Sequence, residues 1–211
     1  MMPPSFKRFG YLAQTSKTLT AKPARPATRS GADDLPRGNS LITIMNLYIL
    51  RHGLAVEPGS AGFTKDSDRP LTPKGERKLW KIAQAMEELE LKLDCVLSSP
   101  YVRACQTAEI IAEGLGLEKK VELCEHLTPA GSVRKLIDSL NHREPSPNDV
   151  LLVGHEPYLS ALISLLLSGD PHCQVLMKKA GLCKLSTDEL EHGRCATLEW
   201  LLTPKHLCLM A

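Results

Sequence analysis

Aromatic residues are scarce in this chain of 211, at 4%, and long apolar runs are missing. The longest candidate, residues 161–167, is seven residues and contains Ser164. A bilayer-spanning helix needs roughly 20 apolar residues, so none is expected. Cysteine pairing motifs are missing too. Seven cysteines are present (95, 105, 124, 173, 183, 195 and 208), irregularly spaced and without a C-x-x-C pair. That argues against a zinc ribbon or a disulfide framework and for reduced thiols in a cytosol-like compartment. The formal net charge is only +2, which gives composition no case for a nucleic-acid binder. What remains, 43% hydrophobic and 24% charged residues, suffices for one globular domain but not two.

The near-neutral total hides a division. Residues 1–44 carry seven Lys or Arg against Asp33 and Asp34, a net of +5, leaving 19 basic and 22 acidic residues, a net of −3, in 45–211. The first segment holds five prolines, many hydroxyl residues and no apolar period, so no fold is expected there. Three readings stand for it: a disordered basic tail, an organelle transit peptide, or an extension outside the functional protein. Met45, directly before the first strand-like run, marks the expected start of the folded domain, 45–211.

From Met45 onward strand and helix signals alternate. Asn46-Leu47-Tyr48-Ile49-Leu50 is a β-rich run ending at Arg51-His52-Gly53. Thr72-Pro73 reads as an N-cap and first helical residue, and Leu79, Ile82, Ala83 and Met86 give a helical stripe to about Leu91. Residues 94–98 read as a second strand, and Ser99-Pro100 as the cap of a helix with Ala104, Thr107, Ala108, Ile111, Ala112 and Leu115 facing inward. A short strand at 120–123 and a helix over 133–140 follow. Val150-Leu151-Leu152-Val153 is apolar throughout, as in a strand buried on both faces, and ends at Gly154-His155. Pro157 opens another helix, and residues 182–187 and 195–202 form an expected hairpin. The pattern predicts an α/β fold: a three-layer α/β/α sandwich with a mostly parallel central sheet and an antiparallel edge hairpin.

Ligands of open α/β sheets bind beyond the carboxyl ends of the strands. Three expected strands deliver polar residues there: Arg51-His52-Gly53, Ser98-Ser99 with Arg103 one turn on, and Gly154-His155. One such histidine alone is more often a turn residue than a catalyst; two histidines and two arginines converging reverse that judgement. Guanidinium groups grip phosphate oxygens bidentately and stay charged. A neutral imidazole can attack phosphorus, and a second can donate to the transferring oxygens.

These residues resemble the histidine phosphatase superfamily, the phosphoglycerate-mutase-like proteins. The likeness runs through Leu50-Arg51-His52-Gly53, Asp68-Arg69-Pro70-Leu71-Thr72-Pro73-Lys74-Gly75, Ser98-Ser99-Pro100-Tyr101-Val102-Arg103-Ala104-Cys105-Gln106-Thr107-Ala108, Leu127-Thr128-Pro129 and Val153-Gly154-His155-Glu156-Pro157. The R-P-L-T-x-x-G and S-P-x-x-R-A-x-Q-T segments resemble the SixA-type phosphohistidine phosphatase branch most closely. The resemblance implies that His52 is the phosphorylated nucleophile, that Arg51 and Arg103 bind phosphoryl oxygens, that His155 completes the pocket, and that Gly53 admits the substrate closely. No metal is needed, because the arginines supply the positive charge, and no cofactor is expected. Gln106 and Thr107 read equally as packing or supporting residues.

One departure leaves the general acid open. SixA-like chains commonly carry Glu-Leu-Thr-Pro after the third strand, whereas here His126 directly precedes Leu127 and Glu125 is displaced by one. Glu125, His126 and, less directly, Glu156 are the candidates. No cysteine has Arg six residues later, no G-x-x-x-x-G-K-[ST] occurs, and His155-Glu156 lacks the second histidine of H-E-x-x-H, which sets aside cysteine phosphatases, P-loop NTPases and zincins. The expected function is a cytoplasmic phosphatase, a monomer, acting on a phosphohistidine-bearing protein through an open site. The alternatives are a phosphomonoesterase or mutase acting on a small phosphorylated substrate at the same site, and a non-catalytic phospho-ligand binding module. No nucleic-acid or membrane partner is expected.

Overall fold

The structure is a computed structural model that describes residues 44–60 and 62–211. The expected leader, 1–44, thus lies outside the described residues except for Ile44. Among the described residues six strands form one sheet: β1 (Met45–Arg51), β2 (Cys95–Ser98), β3 (Val121–Leu123), β4 (Asp149–Gly154), β5 (Leu182–Thr187) and β6 (Thr197–Leu202). Their order is β3-β2-β4-β1-β5-β6. The first four in that order run parallel, and β5 and β6 close the sheet antiparallel.

Alternation along the central strands builds the three layers. Leu47 and Ile49 of β1, with Val150 and Leu152 of β4, pack on the face that receives α3 (Val133–Asn141) and α4 (Tyr158–Ser168). Tyr48 and Leu50, with Leu151 and Val153, face α1 (Pro73–Glu88), α2 (Val102–Gly114) and the short α5 (Pro204–Leu207). Successive side chains of a strand point to opposite faces, so an uninterrupted apolar run is what a strand covered on both sides requires. Ile49, Leu151 and Val153 are fully buried, each contributing about 1.5–3 kcal/mol by removal from water.

Helix starts follow their capping chemistry. The Thr72 hydroxyl accepts from Gly75 N at 3.1 Å, and Pro73 stands at the first helical position. Helix α1 ends at Glu88, short of the expected Leu91, because Glu90 takes a left-handed backbone with φ 54°. The expected Ser99-Pro100 cap is displaced: α2 begins at Val102 with Tyr101 as its cap residue, and Ser99 is used elsewhere, as described below. Among the described residues no helix is long and apolar enough to cross a membrane.

Candidate active site

Pairing register brings the strand ends level. Arg51 lies opposite Gly154, and Ser98 opposite Val153, so the residues that follow β1, β2 and β4 emerge side by side. His52 N donates to Gly154 O at 3.0 Å and Ser99 N to Val153 O at 3.0 Å, extending the sheet's bonding one residue into the site. Arg51, His52, Arg103 and His155, expected from the sequence to converge, are brought together.

His52 is 6% exposed, Arg103 3% and His155 1%. The His52 ring holds Gly53 O with Nδ1 at 2.7 Å. A carbonyl only accepts, so Nδ1 carries the proton and Nε2 keeps its lone pair. Arg103 Nε donates to that Nε2 at 3.3 Å, consistent with the same tautomer. Burial, reinforced by His155, Arg103 and Arg51, outweighs the bond to Gly53 O and lowers the His52 pKa to about 3. The ring is therefore neutral near pH 7.

His155 stacks obliquely beside it, ring centroids 5.0 Å apart, with Tyr101 at 5.0 Å on another side. Burial and then the Arg103 charge lower its pKa to about 3. His155 Nε2 and Ser99 Oγ are 2.8 Å apart. With the serine hydroxyl donating, the ring proton sits on Nδ1, which is buried and has no partner. A buried unpaired donor beside two arginines is suited to meet an oxyanion.

Arg51 is anchored by Nη1 to Met177 O at 2.7 Å, while its Nε is buried and unpartnered. Burial lowers its pKa and the nearby Glu156 charge opposes that. Glu156 itself accepts from Ser160 Oγ at 2.5 Å and has its other oxygen buried without a partner. Arg103 is held by Asp66, through Nη1 to the main-chain oxygen at 2.6 Å and Nη2 to the carboxylate at 2.8 Å. Asp66 also takes Arg69 Nε at 2.9 Å and Nη2 at 2.5 Å. Partial burial pushes the Asp66 carboxyl up, but the hydrogen bonds from Arg69 and Arg103 outweigh it and leave its pKa below the ordinary value.

Supporting contacts explain the rest of the motifs. The Thr107 hydroxyl accepts from Gly53 N at 3.0 Å and donates to Arg103 O at 2.6 Å. Gln106 Oε1 accepts from Leu71 N at 2.7 Å, tying α2 to the loop before α1. Glycine at 53 has a packing reason: a Cβ there would stand 2.8 Å from Leu79 Cδ1. Glu125 and His126 lie in a 3-10 turn after β3, anchored by buried Leu127. Among the described residues no hydrogen bond joins their side chains to the four central groups.

The spacer between β3 and β4 is taken up by the 3-10 turn of Glu125–Leu127 and by α3. The Asp66 turn between β1 and α1 leans on Arg103. Asp66 went unnoticed in the sequence, since its partners Arg69 and Arg103 are three and 37 residues away.

This fold, with a neutral imidazole flanked by two arginines and a second histidine at adjacent strand ends, defines a phosphoryl-handling enzyme. The family model for the histidine phosphatase superfamily (branch 1) matches residues 47–128. Phosphohistidine phosphatase SixA of Escherichia coli K12 is 28% identical over 166 residues, 77% of this chain and 96% of that protein. A SixA homolog of Haemophilus influenzae is 32% identical over 130 residues, 58% of this chain and 77% of its own. The solved structure of the protein histidine phosphatase SixA complexed with tungstate superposes with a TM-score of 0.67 at 28% identity, covering 77% of this chain and 99% of that one. The chain belongs to the histidine phosphatase superfamily, in its SixA-type branch, and is a phosphatase by that membership.

Proposed function

We propose that the chain is a protein phosphohistidine phosphatase that works through a covalent phosphohistidine at His52. The observation that carries this reading is the His52 tautomer: Nδ1 bonded to Gly53 O, Nε2 unprotonated and facing Arg103 at 3.3 Å. In the first step the Nε2 lone pair attacks phosphorus in line with the bond to the leaving group. Arg51 and Arg103 bind the phosphoryl oxygens, and the free Nδ1–H of His155 donates to a third as charge shifts outward. In the second step water attacks the phosphohistidine, and inorganic phosphate leaves.

The arginines supply the positive charge, so the proposal assigns no role to a metal. The relatives called phosphohistidine phosphatases, one of them solved with an oxyanion, support the substrate class. A leaving imidazole is itself readily protonated, which relaxes the need for a strong acid and fits a site whose general acid is not held against the nucleophile. Glu125, His126 and Glu156 remain the candidates for ester substrates. The catalytic domain is taken as 45–211, acting as a monomer in the cytoplasm, where the seven free thiols stay reduced.

The test is a substrate panel of phosphohistidine peptide, p-nitrophenyl phosphate and sugar phosphates, with native and His52→Ala protein. Preference for the peptide and loss of all turnover in the variant are expected. Retained turnover in His52→Ala overturns the mechanism; preference for a sugar phosphate overturns the substrate class alone.

A further inference from the structure

Asp66 stands out as a carboxylate placed against the group that should receive an anion. Arg103 has five N–H donors, and three are committed: one to His52 Nε2 and two to Asp66. Among the described residues the other two have no partner and can meet a phosphoryl oxygen, so Asp66 need not leave when phosphate arrives. The Asp66 side chain is 53% exposed, whereas that of Arg103 is 4% exposed. The carboxylate therefore sits on the solvent side of the arginine, where the remainder of a substrate must pass. It also acts electrostatically on His155. Arg69, 13% exposed, braces it from Oδ1 and is itself tied to Val56 O at 2.5 Å.

The carboxylate sets the net charge at the pocket. Three guanidinium groups (Arg51, Arg69 and Arg103) face two carboxylates (Asp66 and Glu156), with both imidazoles neutral. One net positive charge remains, and a dianionic phosphoryl group reverses it. Any second anionic group on the substrate then approaches a site that is already negative, next to a fixed carboxylate. A neutral or cationic neighbour does not.

We infer that Asp66 is a specificity-determining residue. Fixed on Arg103 at the pocket mouth, it disfavours phosphate compounds bearing a second anion beside the phosphoryl group and favours those with a neutral or cationic leaving group. A phosphohistidine protonated on its ring is such a substrate, and a phosphorylated carboxylic acid is the opposite case. The inference deepens the proposed function and rests on its assignment of His52 and Arg103 as the phosphoryl-binding pair.

The experiment is a charge ladder on the full chain. Phenyl phosphates with a para trimethylammonio, nitro or carboxylate group are compared by kcat/KM. Benzylphosphonates with the same substituents are compared by Kd. Native protein and Asp66→Asn are measured side by side, the asparagine keeping an oxygen for Arg103 Nη2. Native protein should rank cationic above neutral above anionic, and Asp66→Asn should compress the ratio of the ends about tenfold, the size expected for one charge roughly 6 Å away acting oppositely on the two ends at the near-aqueous dielectric (~80) of an exposed carboxylate. Added salt should compress the native ratio toward that of the variant. An unchanged ratio in the variant, or an equal loss on all three compounds, overturns the inference, the second outcome marking a merely structural tie on Arg103. Failure to hydrolyse phosphohistidine peptide would leave the ladder intact and count against the substrate class instead, whereas turnover surviving in His52→Ala would count against the site.

Discussion

Arg103 meets His52 on the one ring nitrogen that the bond to Gly53 leaves unprotonated, Nε to Nε2 at 3.3 Å. The same contact aligns a cation beside the lone pair and penalises protonation of the ring. A nucleophile kept neutral by burial needs no adjacent base above a pH of about 3, and the Arg103 contact has only to give way for its lone pair to attack.

The two buried histidines couple stability to pH. His52 and His155 have folded pKa values of about 3, against an ordinary 6.5. Between those values the unfolded chain binds more protons than the folded one, so stability rises with pH across that window. The contribution is complete above 6.5 and lost as pH falls toward 3. The drop in Tm across this window should be smaller in a His52→Gln/His155→Gln variant than in native protein. NMR titration of the two rings should give no protonation through the ordinary histidine range; a transition near 6.5 would show that burial does not hold them neutral.

Thr107 provides a test of the bond network behind the nucleophile. It is fully buried and joins Gly53 N to Arg103 O. Thr107→Val keeps the shape and strands the Gly53 amide, at a cost of about 1–3 kcal/mol, with kcat falling as His52 and Arg103 lose their shared support. Thr107→Ser should recover most of both. Chemical denaturation and steady-state kinetics read the two effects.

How far the sequence revealed this arrangement depends on the kind of contact. His52, Ser98 and His155 were legible because strand ends are marked by abrupt changes from apolar to polar residues, and parallel register then sets them level. Asp66 was not, because its role exists only once α2 brings Arg103 over a loop 37 residues earlier. Ser99 was misread for the opposite reason. A serine before proline at the head of an apolar-periodic stretch carries the local signature of a helix cap, but α2 starts at Val102, so the Ser99 oxygen takes only Tyr101 N at 3.4 Å and sits 2.8 Å from His155 Nε2. The four-residue helix α5 has too few turns to show a period.

Gly53→Ala tests packing where strand β1 turns into the site. The added Cβ would lie 2.8 Å from Leu79 Cδ1 and 3.1 Å from Leu71 Cδ2, both side chains being buried. Overpacking of this kind costs about 1–3 kcal/mol. Shortening the obstacle in Gly53→Ala/Leu79→Val should return part of that loss. No recovery in the double variant would place the need for glycine in the backbone and not in Leu79.

The domain boundary can be tested by deletion. Strand β1 begins at Met45, and every residue of the candidate site lies after it. A chain starting at Met45 should keep the Tm and kcat/KM of the full chain. Substantial loss of either would make residues 1–44 integral to the enzyme.

Ser99 links the helix-cap misreading to catalysis. Its hydroxyl, 2.8 Å from His155 Nε2, holds the ring in the form whose Nδ1–H is free to meet a phosphoryl oxygen. Ser99→Ala leaves Nε2 without a donor, so the proton can shift to Nε2, and Nδ1 then presents a lone pair to an anion. Repulsion at that point should be felt most where negative charge grows, in the transition state. The variant should therefore lose kcat by about 10–100-fold, somewhat less than the loss of a direct oxyanion donor, with a smaller change in KM. Ser99→Thr should restore the tautomer and much of the rate. A Ser99→Ala enzyme whose KM rises while kcat holds would mean that His155 serves ground-state binding alone.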